Sequence, residues 1–575
     1  MSADDAALVA CLVTRRGRFL VAEPYFEPGL PITLGRRGGT PAEAGELVLV
    51  APARGGSRGR VVERLGDPDD IDVVLRALAG QAGAARAFPA AVEDAVGRLS
   101  PDPPPPTGDR RDLRDRPAFT VDPGTAKDHD DALTVERHGD GLRVLVHIAD
   151  VAAVVPLAGP VDEEARRRGF SVYLPGRVDP MLPQALASGR CSLVPGRPRD
   201  VVTVELPIGP DRRVGRPSFS RAQIVSRRRF SYDEVEAVLT DGAPCEPDLR
   251  LALADADALA HDLRAARGRR GALALDRPEL ELELVDGRVV DARTVAEPRA
   301  HALVEELMVL ANEAVAAELT RRRRPALFRA HEPPDPESVE RLYDALADLG
   351  VPTPPLPDVL GPSEAAAAVG RVAGTTLAYA RQRGHGAEAW STMILRALQR
   401  ARYDPDLRSH AGLASPAYCH FTSPIRRYPD LVVHRALLDG LGVGPPAAGE
   451  DLGDLAVALS EREREAATLE RDGERICLAR LLEDRLPADR DETFAGEVIG
   501  LIGSGLFVRF GGVFEGFLPV RRLGRDWYDL NDRGTALVGR SSGFRYRLGD
   551  PVEVRVERIE SERGRVALAP ADGAE

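Results

Sequence analysis

Phe119-Thr-Val-Asp122-Pro-Gly-Thr-Ala-Lys127-Asp128-His129-Asp130-Asp131-Ala-Leu133 is the stretch on which the reading of this chain turns. Four carboxylates fall within ten residues, Asp122 to Asp131. Phe119-Thr-Val121 has the pattern of a short strand, and Pro123-Gly124 is a turn signal that ends it. Asp122 therefore sits at a strand end, with the other three acids on the loop beyond. Ala132-Leu-Thr-Val135 and Leu142-Arg-Val-Leu-Val-His-Ile148 follow as paired strands about the turn His138-Gly-Asp-Gly141. Carboxylates crowded on a rigid scaffold raise one another's pKa, and a divalent cation removes the repulsion. Oxygen ligands of this kind suit Mg²⁺ or Mn²⁺, held together with substrate phosphates. A solvated acidic loop is the alternative on spacing alone. A calcium loop is disfavoured, because Gly is missing at its sixth position and Glu at its twelfth.

At 575 residues the chain accommodates several domains, and 43% apolar with 29% charged residues is the composition of a globular protein. The net charge of −13 argues against nonspecific nucleic-acid binding unless local potential outweighs it. The basic runs Arg227-Arg-Arg229 and Arg321-Arg-Arg-Arg324 have the look of solvated helix ends or loops. Five scattered cysteines without CxxC spacing give neither a disulfide framework nor a zinc site, and fit a reducing compartment. The N-terminus, Met-Ser-Ala-Asp-Asp, lacks a signal-peptide pattern, and no apolar run reaches the ~18 residues of a membrane span. The expectation is a cytoplasmic, monomeric protein.

Three further motifs follow the acidic stretch. They are Ser171-Val-Tyr173-Leu-Pro-Gly-Arg-Val178, Leu327-Phe-Arg-Ala-His331-Glu-Pro-Pro-Asp-Pro336 and His420-Phe-Thr-Ser-Pro-Ile-Arg426-Arg427-Tyr428-Pro-Asp430. In this order and over most of the chain, the four motifs resemble those of the ribonuclease II/ribonuclease R (RNB) exoribonuclease family. All four acids match, and His129 stands where the family has a large apolar residue. Within the family the resemblance is closest to the ribonuclease R branch, carried by Arg540-Ser-Ser-Gly-Phe-Arg-Tyr546-Arg-Leu-Gly-Asp550.

The resemblance implies an α+β multidomain protein, with an RNB catalytic domain flanked by OB-fold β-barrels. Short alternating strands in 7–65 fit a cold-shock-like OB domain at 1–66, with Phe19, Tyr25 and Phe26 as its aromatics. The N-terminus is shorter than that of ribonuclease R, which has a second such barrel. A connector at 67–107 has a helical pattern over Ile71–Leu99, then a proline-rich run. The catalytic domain covers 108–440 and its helical end 441–490. Strands in 493–568 fit an S1 RNA-binding OB domain at 491–575.

The site residues come partly from pattern and partly from resemblance. Thr422-Ser-Pro424 has the signature of a helix start, placing Arg426 and Arg427 at a helix N-terminus suited to phosphate. A structural salt bridge is the other reading of that pair. In the family the residue matching Arg426 is catalytic, as are Asp122, Asp128, Asp130 and Asp131, with Mg²⁺ (or Mn²⁺) on Asp122, Asp128 and Asp131. Tyr173 matches a Tyr that stacks on a base near the RNA 3′ end; core packing is its alternative. The family's opposing Phe falls on Leu275, which cannot stack as an aromatic does. Glu305, on an amphipathic helix over His301–Leu319 with Leu303, Leu307, Leu310 and Ala314 as its stripe, matches a backbone- or sugar-contacting Glu. Glu470 matches a Glu near the terminal nucleotide; one more solvated acid on a charged helix is its alternative. Phe507, Phe510 and Phe517 are candidate stacking residues of the S1 domain, each equally able to be barrel core.

The activity implied is processive 3′→5′ hydrolysis of single-stranded RNA to 5′-nucleoside monophosphates. RNA duplexes with a 3′ overhang are included. An inactive RNA-binding protein of the same fold, or a metal-dependent deoxyribonuclease, are the rival readings.

Overall fold

The computed structural model describes residues 7–571 apart from 18, 36–39, 54–55, 85, 274–278, 296–298, 448–450 and 487–491. Val9–Arg16, Phe19–Pro24, Ile32–Leu34, Arg58–Gly66 and Leu47–Pro52 close into a five-stranded barrel. Its interior is Cys11, Val13, Ala22, Ile32, Val48, Val50 and Val61. The three-residue strand Ile32–Leu34 carries too little alternation to be read from sequence. The connector helix splits into Ile71–Gln81 and Ala90–Gly97, and Gly83 between them has φ +76°, a left-handed turn that ends the first helix. Asp70 caps that first helix by accepting from the Asp72 N–H, a contact worth about 1 kcal/mol.

The central sheet has six strands in the order Pro198–Ile208, Gly141–Ala149, Asp131–His138, Ala118–Asp122, Ser218–Ser231 and Arg111–Asp112. A further pairing of Pro198–Ile208 with Ser218–Ser231 curls it back on itself. Gly141–Ala149 is central, and Val144 to Ala149 is buried throughout, so it shows an apolar run in place of alternation. His147 interrupts that run without loss. Its ring nitrogens meet Thr134 Oγ1 at 3.1 Å and Thr203 Oγ1 at 2.9 Å on the flanking strands. Burial pushes its pKa down to about 3, so it is neutral there. The expected hairpin is present, with His138 opposite Gly141.

Helices Tyr232–Thr240, Pro247–Arg269, Arg299–Arg322 and Tyr428–Leu441 share one core with this sheet. On Arg299–Arg322 the fully buried row is Leu303, Leu307, Ala311 and Val315, whereas Leu310 and Ala314 are only partly buried. The apolar stripe is thus rotated from the one read in the sequence.

A second barrel comprises Thr493–Ile502, Gly505–Phe510, Phe514–Pro519, Arg565–Pro570 and Pro551–Glu560. Between its third strand and Pro551–Glu560 is inserted a three-stranded sheet of Tyr528–Leu530, Ala536–Gly539 and Arg545–Arg547. The long helix Leu452–Arg485 connects the assembly. Arg480 Nη2 donates to Tyr25 Oη at 2.9 Å and to the Pro68 carbonyl at 2.8 Å on the N-terminal side. Arg563 of the second barrel donates to the Phe26 carbonyl of the first at 3.2 Å. Gly473 lets this helix close on Val172–Leu174: a Cβ there would lie 2.7 Å from Leu174 Cδ2. That approach sets the position of Tyr173.

Candidate active site

The acidic loop is fixed by strand register and by side chains from distant parts of the chain. Ser218–Ser231 runs parallel to Ala118–Asp122 and places Ser231 beside Asp122. Phe119 opposite Leu133 brings Asp122 and Asp131 to neighbouring strand ends. Arg229 Nη2 donates to the carbonyls of Pro123 at 2.8 Å and Gly124 at 2.6 Å, clamping the turn. Ser192 Oγ accepts from the His129 N–H at 3.0 Å and donates to the Lys127 carbonyl at 2.9 Å. The Ala149 N–H donates to the Asp130 carbonyl at 2.8 Å. A loop held this way keeps its carboxylates close despite their repulsion.

The electrostatics follow from that confinement. Burial holds the Asp130 carboxyl well above its ordinary range; Arg426 and the Ile425 N–H oppose the shift, while Asp128 and Asp131 add to it. Asp130 Oδ1 accepts from the Ile425 N–H at 2.8 Å, and Arg426 Nε lies 3.6 Å from Oδ2. Burial, then the charge of Asp122, pushes Asp131 up to about 8. His129 Nδ1 lies 2.9 Å from Asp122 Oδ2.

These residues fit a hard divalent cation by donor chemistry. Asp130 Oδ2 is buried and lacks a hydrogen-bond partner, Asp122 Oδ2 faces the His129 imidazole, and the charge of Asp122 adds to the burial that raises Asp131, a repulsion a cation relieves. Among the described residues, no three or more His, Cys, Asp or Glu side chains come close enough together to hold a metal ion by themselves. The arrangement suits a divalent cation whose shell is completed by water and phosphate oxygens better than an ion needing a closed protein cage.

Tyr173 spans the mouth of this site. Its hydroxyl donates to Asp128 Oδ2 at 2.9 Å, and its backbone N–H donates to Glu470 Oε1 at 2.8 Å. The residue is 38% exposed, so it is not core. Burial raises the Glu470 carboxyl pKa. On the other side, the Arg426 carbonyl accepts from the Ser171 N–H at 2.9 Å. The Arg426 guanidinium donates to Ser423 Oγ at 3.0 Å and is otherwise open towards Asp130.

Several expectations are corrected. The helix after the His420 motif starts at Tyr428, with Pro429 in its first turn, and not at Thr422–Pro424. Asp430 accounts for the difference: its Oδ1 accepts from the Ser423 N–H at 2.8 Å and from Arg427 Nη2 at 2.7 Å, fixing the preceding segment as a turn. Arg427 is therefore turned inward into an ion pair with Asp430, the structural reading of it. Phe510 is 1% exposed and lies in the barrel core, packed on Phe494 and Phe514, so it is not a stacking residue. Phe507 is exposed, with its ring 5.2 Å from that of Phe517. The Glu305 carboxylate is paired with Arg264 at 3.0 Å and Arg267 at 3.1 Å, an ion-pair role on the helix. Leu275 lies outside the described residues. The run Arg227 to Arg229 lies on a strand, with Arg227 exposed: Arg227 pairs with Asp248, Arg228 with Glu246, and Arg229 clamps the acidic loop.

Three contributors went unread in the sequence. Ser192 and Arg229 act through register, for which the sequence offers no local signal. Tyr232 follows the strand that ends beside Asp122, and its hydroxyl pKa is raised by burial, then by Asp131 and Asp122.

The chain matches the RNB domain over residues 110–442 and the S1 RNA binding domain over residues 489–569. Ribonuclease R of Escherichia coli (strain K12) is 34% identical over 537 residues, which cover 88% of this chain and 63% of that protein. Ribonuclease R of Aquifex aeolicus (strain VF5) is 33% identical over 525 residues, covering 89% of this chain and 72% of its own length. The chain thus spans less than two thirds of the first of these relatives. Mycoplasma genitalium RNase R, solved in complex with ribose methylated single-stranded RNA, superposes with a TM-score of 0.87 at 25% identity, covering 98% of this chain and 90% of that one.

Proposed function

The chain belongs to the RNB family, and on that premise we propose that it is a 3′→5′ exoribonuclease. It hydrolyses RNA to 5′-nucleoside monophosphates with Mg²⁺ as cofactor. The observation that carries the reading is the meeting of Asp130 with Ile425 and Arg426 inside the acidic loop, groups 295 residues apart in the chain. Acids alone are a binding loop; acids facing a guanidinium make a phosphoryl site.

Asp122, Asp128 and Asp131 are the residues that hold Mg²⁺, which when bound supplies Lewis-acid activation for hydrolysis at phosphorus. Arg426 sits where its guanidinium accompanies the growing charge on the scissile phosphate. Asp130 orients that guanidinium and the terminal ribose. Tyr173 offers a ring to the last bases, at about 1–3 kcal/mol per stacked base and without sequence preference. Glu470 and Asp128 tether the two ends of Tyr173 and fix the ring.

Single-stranded RNA is the substrate in this proposal, and duplexes with a 3′ overhang are included. Relatives from Mycoplasma genitalium have been solved in complex with single-stranded and with double-stranded RNA. We also propose the division into 1–66, 67–107, 108–440, 441–490 and 491–575, and a monomer acting in the cytoplasm. Among the described residues, no helix is long and apolar enough to cross a membrane.

The deciding experiment is digestion of 5′-labelled and 3′-labelled RNA, with a matched DNA strand, in Mg²⁺ and in EDTA. Immediate release of a labelled mononucleotide from the 3′-labelled strand, a shortening ladder from the other, and silence in EDTA are expected. Binding without digestion makes the chain an inactive RNA-binding protein. Equal digestion of DNA makes it a deoxyribonuclease.

A further inference from the structure

The sheet inserted into the second barrel has one anchored end and one free end. At the anchored end, Asn531 Nδ2 donates to Asp348 Oδ2 at 3.0 Å, and Thr535 Oγ1 donates to the same carboxylate. Asp348 ends the helix Pro336–Asp348, so the insertion is fastened outside its own barrel. Leu537 is buried, and Tyr528 and Tyr546 pack against the same core. The sheet is therefore rigidly seated.

The free end gathers Trp527, the turn 540–543 and Phe544. The Arg540 N–H donates to the Trp527 carbonyl and the Gly539 N–H to the Phe544 carbonyl, both at 2.8 Å. Asp526 fixes the turn by accepting from the N–H groups of Trp527, Ser541 and Ser542 and from Ser542 Oγ, at 2.6 to 3.0 Å. The aromatic side chains are left outside: Trp527 is 77% exposed and Phe544 55%. The Phe544 ring is braced edge-on by Tyr546 at 4.9 Å. Beside them, Arg525 and Arg545 have no acidic partner among the described residues, while Arg540 is paired with Asp529.

We propose that this tip is a second stacking site for single-stranded RNA, distinct from the strand bearing Phe507. The proposal rests on the reading of the chain as an RNA-degrading enzyme. Two exposed aromatic faces on a fixed turn, flanked by unpaired guanidiniums, form the combination that takes bases by their π-faces and the backbone by its charge. A local excess of positive charge on a chain of net charge −13 favours a polyanion over an acidic-rimmed protein partner. Fixing the turn through Asp526 lowers the ordering cost of each stack.

The chain has two tryptophans, and the other, Trp390, is 2% exposed and stacked on Tyr379. Trp527 emission therefore reports directly on the tip. The experiment titrates the full-length Asp130→Asn protein in Mg²⁺ with a labelled oligoadenylate of about thirty nucleotides, reading anisotropy and tryptophan emission together. Expected are quenching at saturation and roughly tenfold weaker binding in Trp527→Ala/Phe544→Ala, with Arg545→Glu flattening the salt dependence. RNA bound with emission unmoved, and the double variant within about twofold of the parent, assigns the tip to a protein partner and overturns the proposal. No RNA bound at all removes the enzymatic reading and the tip site with it.

Discussion

The Ile425 backbone N–H donates to Asp130 Oδ1 at 2.8 Å, joining the acidic loop to the arginine motif 295 residues away. Burial raises the Asp130 carboxyl above its ordinary range in the metal-free protein, and Asn keeps the shape of the side chain. Asp130→Asn should fold normally and bind RNA. The charge it lacks matters when cation and phosphate are present, so turnover should fall by ~10³-fold or more. Single-turnover digestion beside RNA anisotropy checks both halves. Near-parental turnover removes Asp130 from the mechanism.

Arg426→Lys replaces a planar fork with a point charge. Asp130 and Ser423 lose their guanidinium contact, while the backbone link to Ser171 remains. Turnover at saturating RNA should drop ~10²-fold with affinity changed little. A collapse in affinity with turnover kept would make Arg426 a binding residue.

Asp131 gives a pH signature. Its folded pKa is about 8, raised from an unfolded value of ~3.9. Between these values the folded state binds more protons than the unfolded one, so this group makes stability fall as pH rises from ~4 towards 8. The metal-free protein should lose melting temperature across that window, and Asp131→Asn should flatten the slope. Added Mg²⁺ should restore stability most strongly at the upper end, where the carboxylate is ionised. Calorimetry with and without EDTA tests this; a slope unchanged in Asp131→Asn rules the group out.

Tyr173 tests whether the tether matters as well as the ring. Tyr173→Phe keeps a stacking face and loses the bond to Asp128; Tyr173→Ala loses both. The Ala variant should stop digestion a few nucleotides earlier and bind short RNA roughly tenfold more weakly. The Phe variant should keep the end-product length and change turnover. Identical ladders in all three proteins would place the stacking group elsewhere.

The sequence disclosed what is local and left unread what depends on register. Asp122 to Asp131 could be found because the four acids are contiguous, and Arg426 because its motif is. Ser192 and Arg229 hold that loop from strands whose neighbours only the folded sheet defines. Phe507 and Phe510 are three residues apart, and the barrel's closure decides which faces inward. Pro424 has the look of the first-turn proline, and the fold gives that place to Pro429. Asp430 selects the second by holding Ser423 in a turn and lying in the first turn of the helix that follows, where its charge suits the dipole.

His129 departs from the RNB pattern, which has a large apolar residue there, and its Nδ1 lies 2.9 Å from Asp122 Oδ2. Ser192 Oγ and the Leu193 N–H hold the His129 backbone, so the side chain can change without releasing the loop. In the metal-free protein the imidazole gives Asp122 a polar neighbour and lessens the repulsion with Asp131. A cation has to supply that relief anew and loses part of its advantage. His129→Leu should therefore leave the metal-free protein less stable and increase its dependence on Mg²⁺. An interaction of about 1 kcal/mol corresponds to half-maximal protection at roughly fivefold lower Mg²⁺ in the variant. Melting curves of parent and variant over a Mg²⁺ series measure the shift without any turnover. A variant needing more Mg²⁺ than the parent would instead make His129 a support for the bound cation.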